Sequence, residues 1–521
     1  MLLEKIPFAD TRSFSSFFLD YISQKKTLQP FYSRFPLLNN FKDQIKEKSS
    51  FPKNHRQILV ASLQKQYQYL QHAEAVKMNI ASLSDENSFT ITTGHQLNIF
   101  TGPLYFIYKI ITVINTCKQL RQAYPGFNFV PVYWMASEDH DFEEISYFRL
   151  YGKKYTWQTD QKGAVGRFNT KGLEDVLKEV SGDIKLFKEA YGNHDTLSGA
   201  VRYYVNALFE GEGLIVIDAD DHALKNLFKR VIQDDLFLHS TKEQVDKSDA
   251  SLESAGYKPG VHVRDINFFY LDKGIRGRIE NVGEQFNVLD SSIRFSKDQI
   301  EKMIQTEPEK FSPNVMLRPL YQEFILPNLA YIGGPAEVVY WLQLKSLFDY
   351  YQVPFPILMP RNFGMVMDAP LRRKFKKTGL AVMDLFEEKN YLFNHWVTKN
   401  THHNLTLSDS IRDTRDIFDK VKNRAESIDK TLGSLVSAEA KQAITRLEKI
   451  EIKFLKAEKR LHSDKLRQIE TVKDSLFPLG ELQERSDNFL RFYQQDPGFI
   501  QKLLACFDPF DFQFNILLYD E

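Results

Sequence analysis

The run Glu138-Asp139-His140-Asp141 sets three carboxylates and an imidazole side by side. Groups crowded in this way repel one another unless cations, a metal or a protonated partner compensates. Their types fit binding of a substrate amine, general base catalysis or metal ligation, whereas helix capping by Asp139 or Asp141 accounts for one residue without any chemistry. A second stretch, residues 92–105, carries Gly94, His95, Gln96, Asn98 and Gly102 ahead of an apolar helix expected over 107–120. Such a glycine-bounded loop lets backbone approach a ligand, and the helix start offers N–H groups to an anion. The spacing is neither GxGxxG nor a P-loop, and Gln96 and Asn98 serve equally well to satisfy loop backbone groups.

Further along, Arg318-Pro319 is followed by Gly333-Gly334-Pro335 and Glu337. Pro335 suits the first turn of a helix, and Glu337 is either a functional carboxylate or a favourable charge near that positive helix end. Arg361 carries a guanidinium able to clamp a carboxylate or phosphate through two parallel bonds. The cluster Asp218-Ala219-Asp220-Asp221-His222 binds a ribose or a metal, or caps the next helix.

These residues need a common platform. Residues 89–93, 129–135, 214–218, 329–332 and 355–359 are short apolar runs between helical stretches, the pattern of a parallel α/β sheet covered on both faces. Gly or acidic residues follow several of them, and ligands in such sheets gather at the carboxyl ends of the strands. Segments near 147–210 and 255–310 interrupt this alternation. Turns such as Asp272-Lys273-Gly274 predict small antiparallel hairpins there, which either wall a pocket or elaborate the surface.

After Pro370 the composition turns to charged helix through residue 478. Ile411, Phe418, Val421, Ala425, Ile428, Leu432 and Leu435 keep a period near 3.5, and Ala440, Ile444, Leu447, Phe454 and Leu461 continue it. Gly433, Ser434 and Ser437 supply the expected break, giving an antiparallel coiled-coil hairpin whose seam also suits a homodimer. Residues 479–521 are rich in aromatic side chains and are expected to pack back on a core spanning 1–370.

The 68 Lys+Arg and 68 Asp+Glu cancel, so no overall field draws the chain to nucleic acid or an anionic membrane. Two cysteines, Cys117 and Cys506, fit neither a disulfide framework nor a cysteine-based zinc site. No apolar run reaches the roughly 20 residues that span a bilayer, and the expectation is a cytoplasmic protein.

In order and context, Gly94-His95-Gln96 with residues 101–105, residues 134–141, Arg318-Pro319 with Gln322-Glu323-Phe324, Gly334-Pro335 with Glu337, and Met359-Pro360-Arg361 resemble the bacillithiol biosynthesis cysteine ligase family (BshC). The resemblance spans the whole chain. It implies a Rossmann-like core with connecting insertions, a coiled coil that mediates dimers, and addition of cysteine to malyl-glucosamine through an amide bond. Glu138, Asp139, His140 and Asp141 would then be catalytic. Gly94, His95, Gln96, Asn98, Gly102, Arg318, Gly334, Glu337 and Arg361 would bind substrate, and Phe489, Arg491 and Phe492 would line a nucleotide pocket. No resident cofactor or metal is implied. ATP as cosubstrate follows by fold analogy, since neither an HxGH tetrad nor a KMSKS-like loop is present. The residues by themselves also admit a metal-dependent hydrolase or transferase built on residues 138–141, or a coiled-coil binding module with a degenerate core.

Overall fold

A computed structural model describes residues 2–519. Five strands, β1 (Ser88–His95), β2 (Asn128–Met135), β3 (Ile215–Asp218), β4 (Asn328–Gly333) and β5 (Ile357–Pro360), form a parallel sheet in the order β5-β4-β1-β2-β3. All five were legible as apolar runs, because strands covered by helices on both faces bury consecutive side chains. Phe89, Ile91, Phe129, Leu329, Ile332, Ile357 and Met359 share a core with Val113, Cys117 and Leu120 of helix α1 (Tyr105–Ala123).

The strand order reverses between β1 and β4. Parallel pairing in register aligns His95 with Met135, Met135 with Asp218, Ile332 with Thr93, and Gly333 with Pro360. The segments leaving all five strands therefore emerge at one edge, around the topological switch point where ligands of such sheets bind.

Both insertions contain the predicted hairpins. Tyr147–Leu150 pairs with Lys153–Thr156 across Tyr151 and Gly152, whose φ of 51° and 79° suit a primed two-residue turn. The second insertion builds an antiparallel sheet from Phe268–Asp272, Ile275–Val282, Gln285–Val288 and Arg294–Ser296, with Phe311–Pro313 on its other edge. Its Phe268–Asp272 and Ile275–Val282 strands turn at Lys273-Gly274.

The chain divides into two units, residues 3–365 with 481–517, and residues 366–480. In the second, the helices Ser408–Ile428 and Leu432–Leu461 fold back on each other as an antiparallel hairpin. The break falls at residues 429–431, where Asp429 Oδ1 accepts from the Thr431 amide and hydroxyl, and not at Gly433-Ser434 as expected. Gly433 instead lies inside the second helix, where a Cβ would collide with the Glu426 side chain. It permits close approach of the two helices. Val421, Ile428, Leu435, Phe454 and Leu461 of the expected seam are exposed, because a two-helix hairpin can bury only part of each helix face. A small core of Leu392, Trp396, Val397, Leu466 and Ile469 forms elsewhere in this unit.

Cys117 and Cys506 are free thiols. Among the described residues no helix is long and apolar enough to cross a membrane.

Candidate functional site

The acidic run leaves β2 in a tight turn, the Asp139 amide donating to the Ala136 carbonyl at 3.1 Å. The first insertion clamps it, since Val165 N donates to Asp139 O at 2.7 Å and Gly166 N to Ser137 O at 2.8 Å. That segment shapes the site and is no mere surface elaboration.

The members of the run meet three sets of partners, with Asp139 and His140 sharing Arg276. Glu138 is buried and ion-paired with the buried Lys225, whose ammonium also donates to the Phe311 carbonyl at 2.8 Å. Burial pushes the Glu138 carboxyl up, although Lys225 opposes it. Asp139 Oδ1 lies 3.3 Å from Arg276 Nη1 and its Oδ2 lies 3.4 Å from Arg318 Nη2. Burial would raise its pKa, but Arg318, Arg276 and a bond from Gln96 hold it below the usual carboxylate range. His140 receives a hydrogen bond from Arg276 Nη1 at 2.6 Å. Asp141 caps the helix Phe142–Ile145 by accepting from Glu144 N at 3.4 Å, so the capping alternative holds for that residue.

Asp139 and His140 converge on Arg276, whereas Glu138 turns to Lys225 and Asp141 to the start of the next helix. Among the described residues no group of three or more His, Cys, Asp or Glu side chains is arranged to hold a metal ion, and the metal-ligand reading of residues 138–141 loses its geometry. The compensating charges are instead cations from distant segments. Lys225 comes from the helix His222–Asn226, Arg318 from the first turn of helix α2 (Arg318–Ile325), and Arg276 from the second insertion. Burial lowers the pKa of Arg276 to about 10, which still leaves it cationic at neutral pH. At Asp139, two guanidinium groups thus share one carboxylate.

The crevice between β1 and β4 holds a second cluster. Glu337, in the first turn of helix α3 (Pro335–Trp341), accepts from Gly334 N at 2.7 Å and from the Tyr331 hydroxyl at 2.8 Å. Its Oε2 lies 2.6 Å from Lys109 Nζ, which donates to the Gly94 carbonyl at 2.8 Å. Burial opposes ionisation of Glu337, yet Lys109 and these bonds keep its pKa below the ordinary value. His95 Nδ1 stands 2.8 Å from the Gln96 carbonyl and its ring packs on Tyr105 and Phe106. Burial, then the nearby Lys109, pulls its pKa down to about 3.

Several expected ligand contacts are spent inside the protein. Arg361 is buried with its plane over Phe363, Nη2 donating to Glu484 at 2.5 Å and Nη1 to the Asn362 carbonyl at 2.9 Å, so both arms of its fork are taken inside the protein. Asn98 donates to the Glu144 carbonyl at 2.9 Å, and Gly102, at φ +63°, leaves room for the Asn98 side chain that any Cβ there would strike. Both residues build the loop. Phe489 and Phe492, expected beside a nucleotide, are buried, Phe492 against Phe499 at 5.2 Å, while Arg491 pairs with Asp487 at 2.5 Å. Those rings have no free face for a base. Asp221 caps the helix starting at His222, and Asp220 takes a two-point bond from Arg167 at 2.6 and 2.8 Å.

Lys109, Lys225, Arg276 and Glu484 escaped the sequence reading. Lys109 did leave a signal, as the lone charge in the apolar run 105–116. The other three lie in segments whose composition resembles ordinary surface.

Comparison with known proteins bears on both units. The model of the bacillithiol biosynthesis BshC N-terminal Rossmann-like domain matches residues 1–362, and that of the BshC C-terminal coiled-coil domain matches residues 364–519. The chain is 42% identical to a Flavobacterium johnsoniae protein over 97% of each chain. It is 40% identical to one from Cytophaga hutchinsonii over 99% of each. Both relatives carry the name "Putative cysteine ligase BshC".

Proposed function

Because this chain belongs to the bacillithiol biosynthesis BshC family, we propose that it is a cytoplasmic ligase joining cysteine to malyl-glucosamine through an amide bond. A carboxylate does not condense with an amine unaided, so the cysteine carboxyl needs activation, and ATP is the proposed cosubstrate. Cleavage of the triphosphate transfers a phosphoryl or adenylyl group to a carboxylate oxygen. The uncharged sugar amine then attacks the carboxyl carbon, the C–N bond forms, the C–O bond breaks with its electron pair staying on the oxygen that departs as phosphate or AMP, and one proton is released.

The observation that carries this reading is the surplus positive charge around Asp139. Arg276 and Arg318 share that single carboxylate at 3.3 and 3.4 Å, a geometry loose enough for an arriving anion to compete. A carboxylate or phosphoryl group seated there gains charge-assisted bonds. Asp139 then orients the two guanidinium groups; its depressed pKa makes it a poor proton acceptor at neutral pH. Glu337 and Lys109 in the adjoining crevice are proposed to fix the Gly94 loop against the substrate.

Purified protein incubated with cysteine, malyl-glucosamine and ATP should yield the amide by mass detection, and omission of ATP should abolish it. Absence of product with ATP and with every other nucleoside triphosphate would remove the proposal. A second copy of the chain is proposed to cover the exposed Val421, Ile428 and Leu435. Sedimentation of wild type against a V421D/I428D variant tests this, with a dimer expected to become a monomer.

A further inference from the structure

We infer that Arg276 is a positioning residue that locks His140 as the neutral tautomer carrying its proton on Nε2, so that His140 offers a hydrogen bond, and not a base, to the reacting groups. The inference rests on the reading of this rim as the ligase site. An arginine side chain has five N–H donors and no acceptor. At 2.6 Å from His140 Nδ1, Arg276 Nη1 must donate, and Nδ1 keeps its lone pair. A neutral imidazole in that state has its hydrogen on Nε2.

The donor is held in place. Arg276 Nε donates to Ser312 Oγ at 3.3 Å, its guanidinium lies 4.0 Å from the Phe269 ring centroid, and Nη1 also faces Asp139. The imidazole itself is exposed at the rim, with its ring 5.6 Å from that of Phe269. The charged groups facing it are Asp139 and Asp141 from its own segment, and Arg276 and Arg278 from Ile275–Val282. Partial burial of the ring on its Arg276 side, together with the Arg276 charge, outweighs the two carboxylates and holds the imidazole below its ordinary pKa. Protonation at Nδ1 would set two donors face to face, so the cation cannot form without breaking the Arg276 bond.

As the amine adds to the activated carboxyl, its carbonyl oxygen gains negative charge. An Nε2–H donor stabilises that charge without giving up its proton. The amine's proton passes to solvent, and the leaving group departs with its electron pair.

Selective 15N-histidine labelling of the full chain, with H140Q to identify the His140 signals, reads the tautomer directly. At neutral pH the expected spectrum has Nδ1 bare and Nε2 protonated. R276Q should give a tautomer mixture, whereas R276K, whose ammonium also only donates, should keep the wild-type pattern. A proton on Nδ1 in the wild type, or an R276Q spectrum identical to wild type, overturns the lock. If R276Q does not fold, the wild-type spectrum decides by itself.

In the ligase assay, H140A should lower kcat about 100-fold, and H140Q, whose amide N–H reaches toward the place of Nε2–H, should recover roughly tenfold of that loss. Equal inactivity of H140Q and H140A would indicate a base and overturn the donor role. Wild-type turnover by H140A would overturn both the donor role and the reading of this rim as the site, while leaving the tautomer assignment to the NMR result.

Discussion

At the crevice between β1 and β4, Lys109 faces Glu337 and Arg361 faces Glu484, one cation for each anion. At the end of β2, Lys225 pairs with Glu138, while Arg276 and Arg318 share the single carboxylate of Asp139. Both clusters sit at the carboxyl edge of the same sheet, and both contain buried charge. Balanced pairs in a low dielectric satisfy one another and hold loops in position. A surplus guanidinium beside a partly exposed carboxylate leaves an unmet demand for an anion, which a substrate can supply. The comparison therefore separates scaffold charges from ligand-facing ones better than residue type does. Arg361 has the textureless appearance of a ligand clamp in the sequence yet serves the scaffold, whereas Arg276, hidden in a hairpin, serves the rim.

The largest effect that sharpens this contrast is expected at Lys225. K225M strands Glu138 without its cation and should lower the free energy of unfolding by about 3–5 kcal/mol in urea titration. Adding E138Q should restore most of it. Full stability of K225M alone would show that Glu138 is not held as a charged partner.

D139N should act on turnover instead. It frees two guanidinium groups from their orienting carboxylate and is expected to reduce kcat/KM about 100-fold while unfolding stays cooperative. An unchanged kcat/KM would erase the proposed difference between the two clusters.

His95, beside the balanced crevice, reports through pH. Its folded pKa of about 3 lies below the ordinary 6.5, so the unfolded chain binds the proton first. The stability this group allows is fully present above pH 6.5 and is lost as pH falls toward 3. H95Q should flatten the stability profile in that window. A profile identical to wild type would show that His95 titrates normally.

D141A should give the smallest effect. Loss of the cap on Phe142–Ile145 is expected to cost about 1 kcal/mol with ligase turnover retained. A large loss of turnover would draw Asp141 into the chemistry and away from a capping role.

The five parallel strands were legible because burial on both faces demands unbroken apolar runs, a one-dimensional pattern. The hairpin at Lys273-Gly274 was legible from its turn residues. The acidic run drew attention because crowded like charges need an explanation, though its role could not be read from those residues. Asp141 and Asp221 cap helices, a use the local sequence allows but cannot separate from catalysis. The break in the arm was misplaced because Gly433 lies close to it. A glycine reads equally as a helix breaker or as the point where two helices touch, and the nearby Glu426 side chain decided for contact.

What the sequence determined by itself was the alternation of strands and helices, the edge at which the glycine and acidic segments emerge, and the change to a helical arm. These follow from backbone periodicity and burial, which act between near neighbours. Tertiary structure alone decided which charges meet. Lys225, Arg276 and Arg318 lie 87, 137 and 179 residues from the carboxylates they compensate, and an ion pair depends on separation in space, which no spacing along the chain encodes.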